Sequence, residues 1–275
     1  MEGASSFGGG SNDLADWGLY PVHIHNAQWV DGPGVFISRA MEQGGLLVRR
    51  PATELLADGD EIMGLPTPYY DDGKGIQIFL GDCREILQHL PKVDLVLTDP
   101  PYGIKRDGKP PSTSSHGGHK GYEFLGWDST PPTDDTLRLV LGAGDDSIVW
   151  GANYYPQVFS SSPGWLLWDK GQRIDQADGE LAFSTRTGPL RVFTLNRVAL
   201  MQDGAVHPTQ KPLALIAWCL QFFPLAQTIL DPFMGSGTTL RAAKDLGRQC
   251  IGIEIEEKYC EIAARRLQQE VLNLG

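Results

Sequence analysis

An α/β fold is predicted from the sequence: an open, largely parallel sheet covered by helices on both faces. Two observations carry the prediction. From Gly75 onward, short apolar runs alternate with stripes of apolar residues at helical spacing. The chain is also long enough, at 275 residues with 41% hydrophobic side chains, to bury a large core, which excludes wholesale disorder.

The elements follow in order. Strand-like runs occur at Ile76–Leu80, Val93–Leu97, Ser147–Trp150, Trp165–Trp168, Leu190–Leu195, Thr228–Leu230 and Gln249–Ile253. Between them, Ile86, Leu87 and Leu90 fall on one helical face, as do Leu137, Val140 and Leu141. Leu213, Ile216, Ala217 and Leu220 form a fuller stripe, and Tyr259, Ile262, Ala263 and Leu267 another. Thr238 is placed to cap a helix that Gly247 ends. Residues 73–275 are therefore read as one domain, interrupted around 105–130, and residues 1–72 as an extension of unknown role.

Charge and cysteine usage narrow the class. The formal net charge is −11, opposite to that of a strongly basic nucleic-acid binder. The excess is uneven: residues 1–75 hold 11 acidic and 4 basic side chains, whereas Lys105, Arg106, Lys109 and Lys120 gather in one short stretch beside a single acidic residue, Asp107. A nucleic-acid partner would have to be met on such a local basic surface. Cys83, Cys219, Cys250 and Cys260 show no CxxC spacing, so they read as reduced core thiols of a cytoplasmic protein, with no metal. His116 and His119 lack thiol or carboxylate partners nearby and read as solvated. No apolar run approaches the ~20 residues of a membrane span, and Met1–Gly10 lacks the basic start and apolar stretch of a secretory leader.

In an open α/β sheet, ligands sit beyond the carboxyl ends of the strands. Three such ends carry chemistry. In LVLTDPPYG, Leu95–Gly103, an apolar strand delivers Asp99 to its edge. Pro100 and Pro101 stiffen the turn, and Tyr102 adds a flat ring. A carboxylate, a carbonyl and a ring held together suit a planar base that bears an exocyclic amine. In TILDPFMGSGTTLRAA, Thr228–Ala243, a strand, Asp231 and a glycine turn lead into a helix, the build of a nucleotide-binding loop. No lysine follows the glycines, which disfavours a phosphate grip. In the third segment, Glu254 ends the next strand, 23 residues beyond Asp231, a spacing suited to accepting both hydroxyls of a ribose.

Together these segments resemble the DNA amino-methyltransferases of adenine N6 and cytosine N4, over roughly Gly75 to Leu274. DPPY, Asp99–Tyr102, looks like that family's catalytic motif, and DPFMGSGTT, Asp231–Thr239, like its S-adenosylmethionine loop. The catalytic motif comes first, as in the circularly permuted β-type branch. FLGDCREIL, Phe79–Leu87, and HPTQKP, His207–Pro212, fit the same order. GANYYPQVF, Gly151–Phe159, with WLLWDKG, Trp165–Gly171, is similar to compact solitary methyltransferases of phages and prophages.

The resemblance implies a Rossmann-like S-adenosylmethionine-dependent methyltransferase fold with a mostly parallel seven-stranded sheet. It implies Asp99, Pro100, Pro101 and Tyr102 as catalytic residues. Asp82 and Cys83 would border the cofactor adenine, and Thr209, Gln210 and Lys211 the methionine carboxylate. Asp231, Phe233, Gly235, Ser236, Gly237 and Thr238 would line the loop, with Glu254 on the ribose. The implied partner is double-stranded DNA, met through Lys105, Arg106, Lys109 and Lys120; a homodimer is compatible with the class.

In the family that the chain resembles, an acidic first residue in the tetrapeptide goes mostly with adenine, so the resemblance implies adenine N6, with cytosine N4 as the alternative. Two segments could recognise the target, Lys105–Trp127 and Gln172–Arg191. Methylation of RNA or of a protein glutamine, and a DNA-binding relative without turnover, are the competing classes.

Overall fold

The computed structural model describes residues 64–104, 131–159, 161–171, 177–196 and 210–269. Their elements are β1 (Tyr70–Asp71), β2 (Ile76–Leu80), α1 (Cys83–Ile86), β3 (Val93–Thr98), α2 (Asp134–Gly142), β4 (Gly144–Trp150), a 3₁₀ turn (Ala152–Tyr154), β5 (Leu166–Asp169), β6 (Gly179–Ser184), β7 (Arg191–Thr194), α3 (Leu213–Gln221), β8 (Thr228–Asp231), α4 (Thr238–Asp245), β9 (Gln249–Glu254) and α5 (Glu257–Gln268). The strands form one sheet in the order β1-β2-β9-β8-β3-β4-β6-β5-β7. β2, β9, β8, β3 and β4 run parallel, β6 lies antiparallel to both β4 and β5, and β1 pairs antiparallel with β2.

Strand periodicity sorts the core into two layers. Ile76, Ile78, Leu95, Leu97, Ile148 and Trp150 pack on one face with residues of α3, α4 and α5. Phe79, Val96, Ile251 and Ile253 pack on the other with Ile86 of α1 and Val140 of α2. Each fully buried Leu or Ile contributes about 1.5–3 kcal/mol, so the alternation is enough to hold helices on both faces.

Among the described residues the sheet has nine strands, not the seven expected. β1 is only two residues long, inside a run dominated by turn formers. β6 begins Gly179-Glu180, and a carboxylate at the start of a strand masks its apolar pattern. Because β6 is an interior strand between β4 and β5, the expectation that Gln172–Arg191 forms a recognition loop is corrected for residues 179–184. Arg186, in the same stretch, lies over the Phe222 ring at 4.6 Å and donates to the Pro189 carbonyl at 2.7 Å.

Two helix expectations also change. α1 is a single turn, Cys83–Ile86, and Leu90 lies beyond it, ahead of Pro91. Gly237, not Thr238, is the N-cap of α4, with a left-handed φ of 77°. A Cβ there would lie 2.8 Å from that of Ala263, so only glycine lets α4 start this close to α5. Gly247 does end the helix, and the Arg248 N–H reaches back to the Ala243 carbonyl at 2.9 Å.

β3 runs on to β4 on one side, and β8 to β9 on the other. The chain therefore diverges between β3 and β8, leaving a crevice at their carboxyl ends. Side chains tie this pair at both ends. Asp94 accepts from the Gln227 and Thr228 amides, at 2.8 and 3.0 Å. Thr98 donates to buried Asp231 at 2.7 Å.

Candidate active site

The crevice opens into a cavity of about 370 Å³ lined by residues from five strand ends, within the ~300–1,000 Å³ of small-molecule sites. Asp82 and Cys83 come from the end of β2, Asp99 and Pro101 from β3, Trp150 from β4, Asp231, Phe233, Gly235, Ser236 and Thr238 from β8 and its turn, and Glu254 from β9. Gln210 and Lys211 line it from the segment before α3. Pro100, Tyr102 and Gly237 are not among the lining residues. Thr209, Lys105, Arg106, Lys109 and Lys120 lie outside the described residues, as does the whole Lys105–Trp127 segment.

The glycine turn is fastened to the next strand. Glu254 accepts the Gly235 amide at 2.9 Å and the Glu256 amide at 3.0 Å, and the Met234 amide reaches the Ile253 carbonyl at 3.1 Å. Burial is the main influence on Glu254 and lifts it to about 7 against those amides. Burial likewise lifts Asp231 to about 6, opposed by hydrogen bonds from Thr239 and Thr98. At the far edge, Asp82 caps α1 by accepting the Arg84 amide at 2.8 Å and holds the Arg84 guanidinium. Cys83 is a buried thiol pushed up to about 12, chiefly by burial, so it is no nucleophile.

Asp99 sits in a dense polar cluster. One of its oxygens accepts from the Tyr102 hydroxyl and the other from the Lys211 ammonium. Lys211 also meets Glu180 of β6 at 3.0 Å, and Glu180 meets Lys170, just past β5, at 2.5 Å. Burial, the largest influence on Lys211, disfavours its charge, but Asp99 and Glu180 together outweigh it and raise its pKa. Burial works on Glu180 too, yet Lys211 and Lys170 overcome it and hold this carboxyl at about 2. Lys211, expected against a cofactor carboxylate, is thus engaged by two carboxylates of the chain itself.

The segment after β4 braces the catalytic-type turn. The Tyr155 hydroxyl donates to the Pro101 carbonyl and so ties the turn to the segment after β4. The Tyr154 ring stacks on Tyr102 with centroids 4.7 Å apart and planes 14° from parallel. Gly151 has φ of 68°, and a Cβ there would overlap the Tyr102 ring. Gly151→Ala is expected to unseat that ring and to cost about 1–3 kcal/mol of stability, read by thermal unfolding; an unshifted midpoint would show that the ring yields freely.

Sequence reasoning missed Glu180, Lys170, Trp150 and Tyr155 as members of this site. A polar residue inside the GELAFS run was the available signal for Glu180, and the WDKG run for Lys170. Among the described residues, no cluster of three or more His, Cys, Asp or Glu could hold a metal ion, and no helix is long and apolar enough to cross a membrane.

Comparisons with known proteins converge on one family. Residues 169–265 match a family model of N6/N4 methyltransferases described as DNA methylase. Type II methyltransferase M.HinfI of Haemophilus influenzae is 26% identical over 254 residues, covering 70% of this chain and 68% of that protein. Type II methyltransferase M2.DpnII of Streptococcus pneumoniae is 51% identical over 69 residues, 23% of this chain and 24% of that protein. The crystal structure of M1.HpyAVI superposes with a TM-score of 0.47 at 20% identity, covering 70% of this chain and 100% of that one. The match to the family model takes in Lys211, the glycine turn and Glu254 of this cavity, and the chain is similar to N6/N4 DNA methyltransferases.

Proposed function

We propose that the chain transfers a methyl group from S-adenosylmethionine to the exocyclic N6 of adenine in double-stranded DNA. The observation that carries this reading is the opening of Asp99 and the glycine turn into one cavity at the divergence of β3 and β8. The donor set fits such a cofactor: Glu254 at the glycine turn for hydroxyls, apolar Phe233, Ile253, Ile255 and Tyr259 for a flat base, and Asp99 at the other side. When bound, the cofactor supplies an electrophilic methyl on a sulfonium.

The chain's own residues do the rest. A paired amine inside a duplex is out of reach, so the base must be flipped out, costing a few kcal/mol. Tyr154, 48% exposed, stacks on Tyr102, whose hydroxyl bonds to Asp99, so the open side of the Tyr154 ring offers a surface on which an extruded base can stack. Asp99 accepts a hydrogen bond from the amine, which localises the nitrogen lone pair and aims it. Each carboxylate oxygen has two lone pairs, so the bonds from Tyr102 and Lys211 leave Asp99 able to accept it. Catalysis is then positioning and electrostatics, with no covalent enzyme intermediate.

Tritium transfer from labelled S-adenosylmethionine to DNA, followed by nucleoside digestion, tests the reading. N6-methyladenine is the expected product; N4-methylcytosine, or label in RNA alone, would overturn the assignment. Cofactor affinity should also depend on pH. Hydroxyl donors favour ionised Glu254, whose pKa is about 7, so affinity should rise about tenfold from pH 6 to pH 8. Glu254→Gln should remove most of that slope in calorimetry, and a slope unchanged in the variant would place the ribose elsewhere.

A further inference from the structure

Lys170 and Glu180 do not line the cavity, yet they are buried directly behind Asp99. We infer that Glu180, anchored by Lys170, is a positioning residue for methyl transfer: by sharing the Lys211 ammonium with Asp99, it keeps the Asp99 carboxylate both aimed and available to the target amine. The inference rests on the proposed DNA methyl-transfer reading.

Geometry and charge carry it. The Lys211 side chain is only 6% exposed and that of Lys170 3%, so neither ammonium can be neutralised by water. Buried charges need partners of opposite sign. Here two ammonium groups face two carboxylates in the chain Lys170–Glu180–Lys211–Asp99, and the cluster is neutral. Glu180 divides its oxygens, Oε1 to Lys170 at 2.5 Å and Oε2 to Lys211 at 3.0 Å. Among the described residues, Oε2 makes no contact other than this ionic one.

Remove Glu180, and Lys211 has one carboxylate left. It then pairs fully with Asp99, drawing electron density from the oxygens that must accept the amine. Remove Lys170 instead, and the cluster is left with one excess negative charge, so that Glu180 draws Lys211 away from Asp99. Asp99 then holds a proton to higher pH and cannot accept until that proton leaves. Two opposite lysine displacements thus impair the same carboxylate in opposite ways. The register Trp168↔Glu180 between β5 and β6 fixes where the carboxylate stands, which gives the antiparallel strands β5 and β6 a task beyond closing the sheet.

Among the described residues, the titratable and charged groups that face Asp99 are Lys211 before α3, Glu180 on β6, Tyr102 in its own turn and Asp231 of β8, with Lys170 past β5 behind Glu180 and Tyr155 after β4 beside Tyr102. Only Lys170 and Glu180 are altered in the test. Single-turnover methyl transfer to DNA is measured against pH with the full chain, for wild type, Glu180→Gln, Lys170→Met and the double variant.

Glu180→Gln should lower the plateau rate roughly tenfold and move the acid limb to lower pH, whereas Lys170→Met should move it up by about one unit. The double variant restores neutrality and should return the limb close to the wild-type position. The KM for S-adenosylmethionine should stay within about twofold throughout, since neither residue lines the cavity. Limbs that stay put while only thermal stability falls, or that move in the same direction in both single variants, would make the pair a mere scaffold and overturn the inference. Absence of transfer to any DNA by the wild type would instead overturn the proposed function, and this inference with it.

Discussion

Replacing Asp99 with alanine is expected to lower methyl transfer to DNA by roughly 10²–10³-fold, the scale seen when one preorganised hydrogen-bonding group is removed from a reaction centre. The loss should fall on the rate and not on cofactor affinity, because Glu254 and the glycine turn remain in place across the cavity. Folding should survive. Lys211 loses one carboxylate but keeps Glu180 at 3.0 Å, so the buried ammonium is not left without a counter-charge. Asp99→Asn keeps the shape and one acceptor while losing the charge, and its rate should lie between those of Asp99→Ala and wild type. Single-turnover assays with calorimetry separate the outcomes; a near-wild-type rate for the alanine variant would remove Asp99 from the chemistry.

The second large effect concerns the other side of the cavity. Gly235 lines it in left-handed backbone, with φ of 52°, and donates its amide to Glu254. A β-branched side chain at such an angle costs about 1–3 kcal/mol, and it would also enter the space the cofactor needs. Gly235→Val is therefore expected to weaken S-adenosylmethionine binding ten- to hundredfold, about 1.4–2.8 kcal/mol, through both lost room and a disturbed Gly235–Glu254 bond. Calorimetry checks this, with thermal unfolding as the control. Unaltered affinity in the folded variant would show that the glycine turn does not touch the cofactor.

The strand–helix alternation and the strand-end motifs were legible because their signals are local. The Ile76–Leu80 run is reproduced residue for residue as β2. Apolar periodicity picks out Val93–Thr98 and Gln249–Glu254 within one residue, and Gly81 and Pro100 mark where β2 and β3 give way to turns. Asp99 and Asp231 stand out because a carboxylate at the carboxyl end of an apolar strand breaks the apolar run where ligands of such a sheet sit. β6 was not legible. Its Glu180 reads as a surface charge until Lys170 and Lys211, 10 residues before and 31 after it, are seen to neutralise it.

What the sequence determined by itself is the order of elements, the placing of acidic groups and glycines at strand ends, and the family those motifs resemble, since each depends on residues within one turn or one strand. Only the tertiary structure decided which distant groups share a cluster. The pairing of Lys211 with Asp99 and Glu180, the seat of Tyr102 over Gly151 and the ninefold sheet all depend on the order in which strands dock. The physical reason is that a buried charge or a close ring contact is stabilised by partners far away in the chain, and no local pattern encodes where those partners will stand.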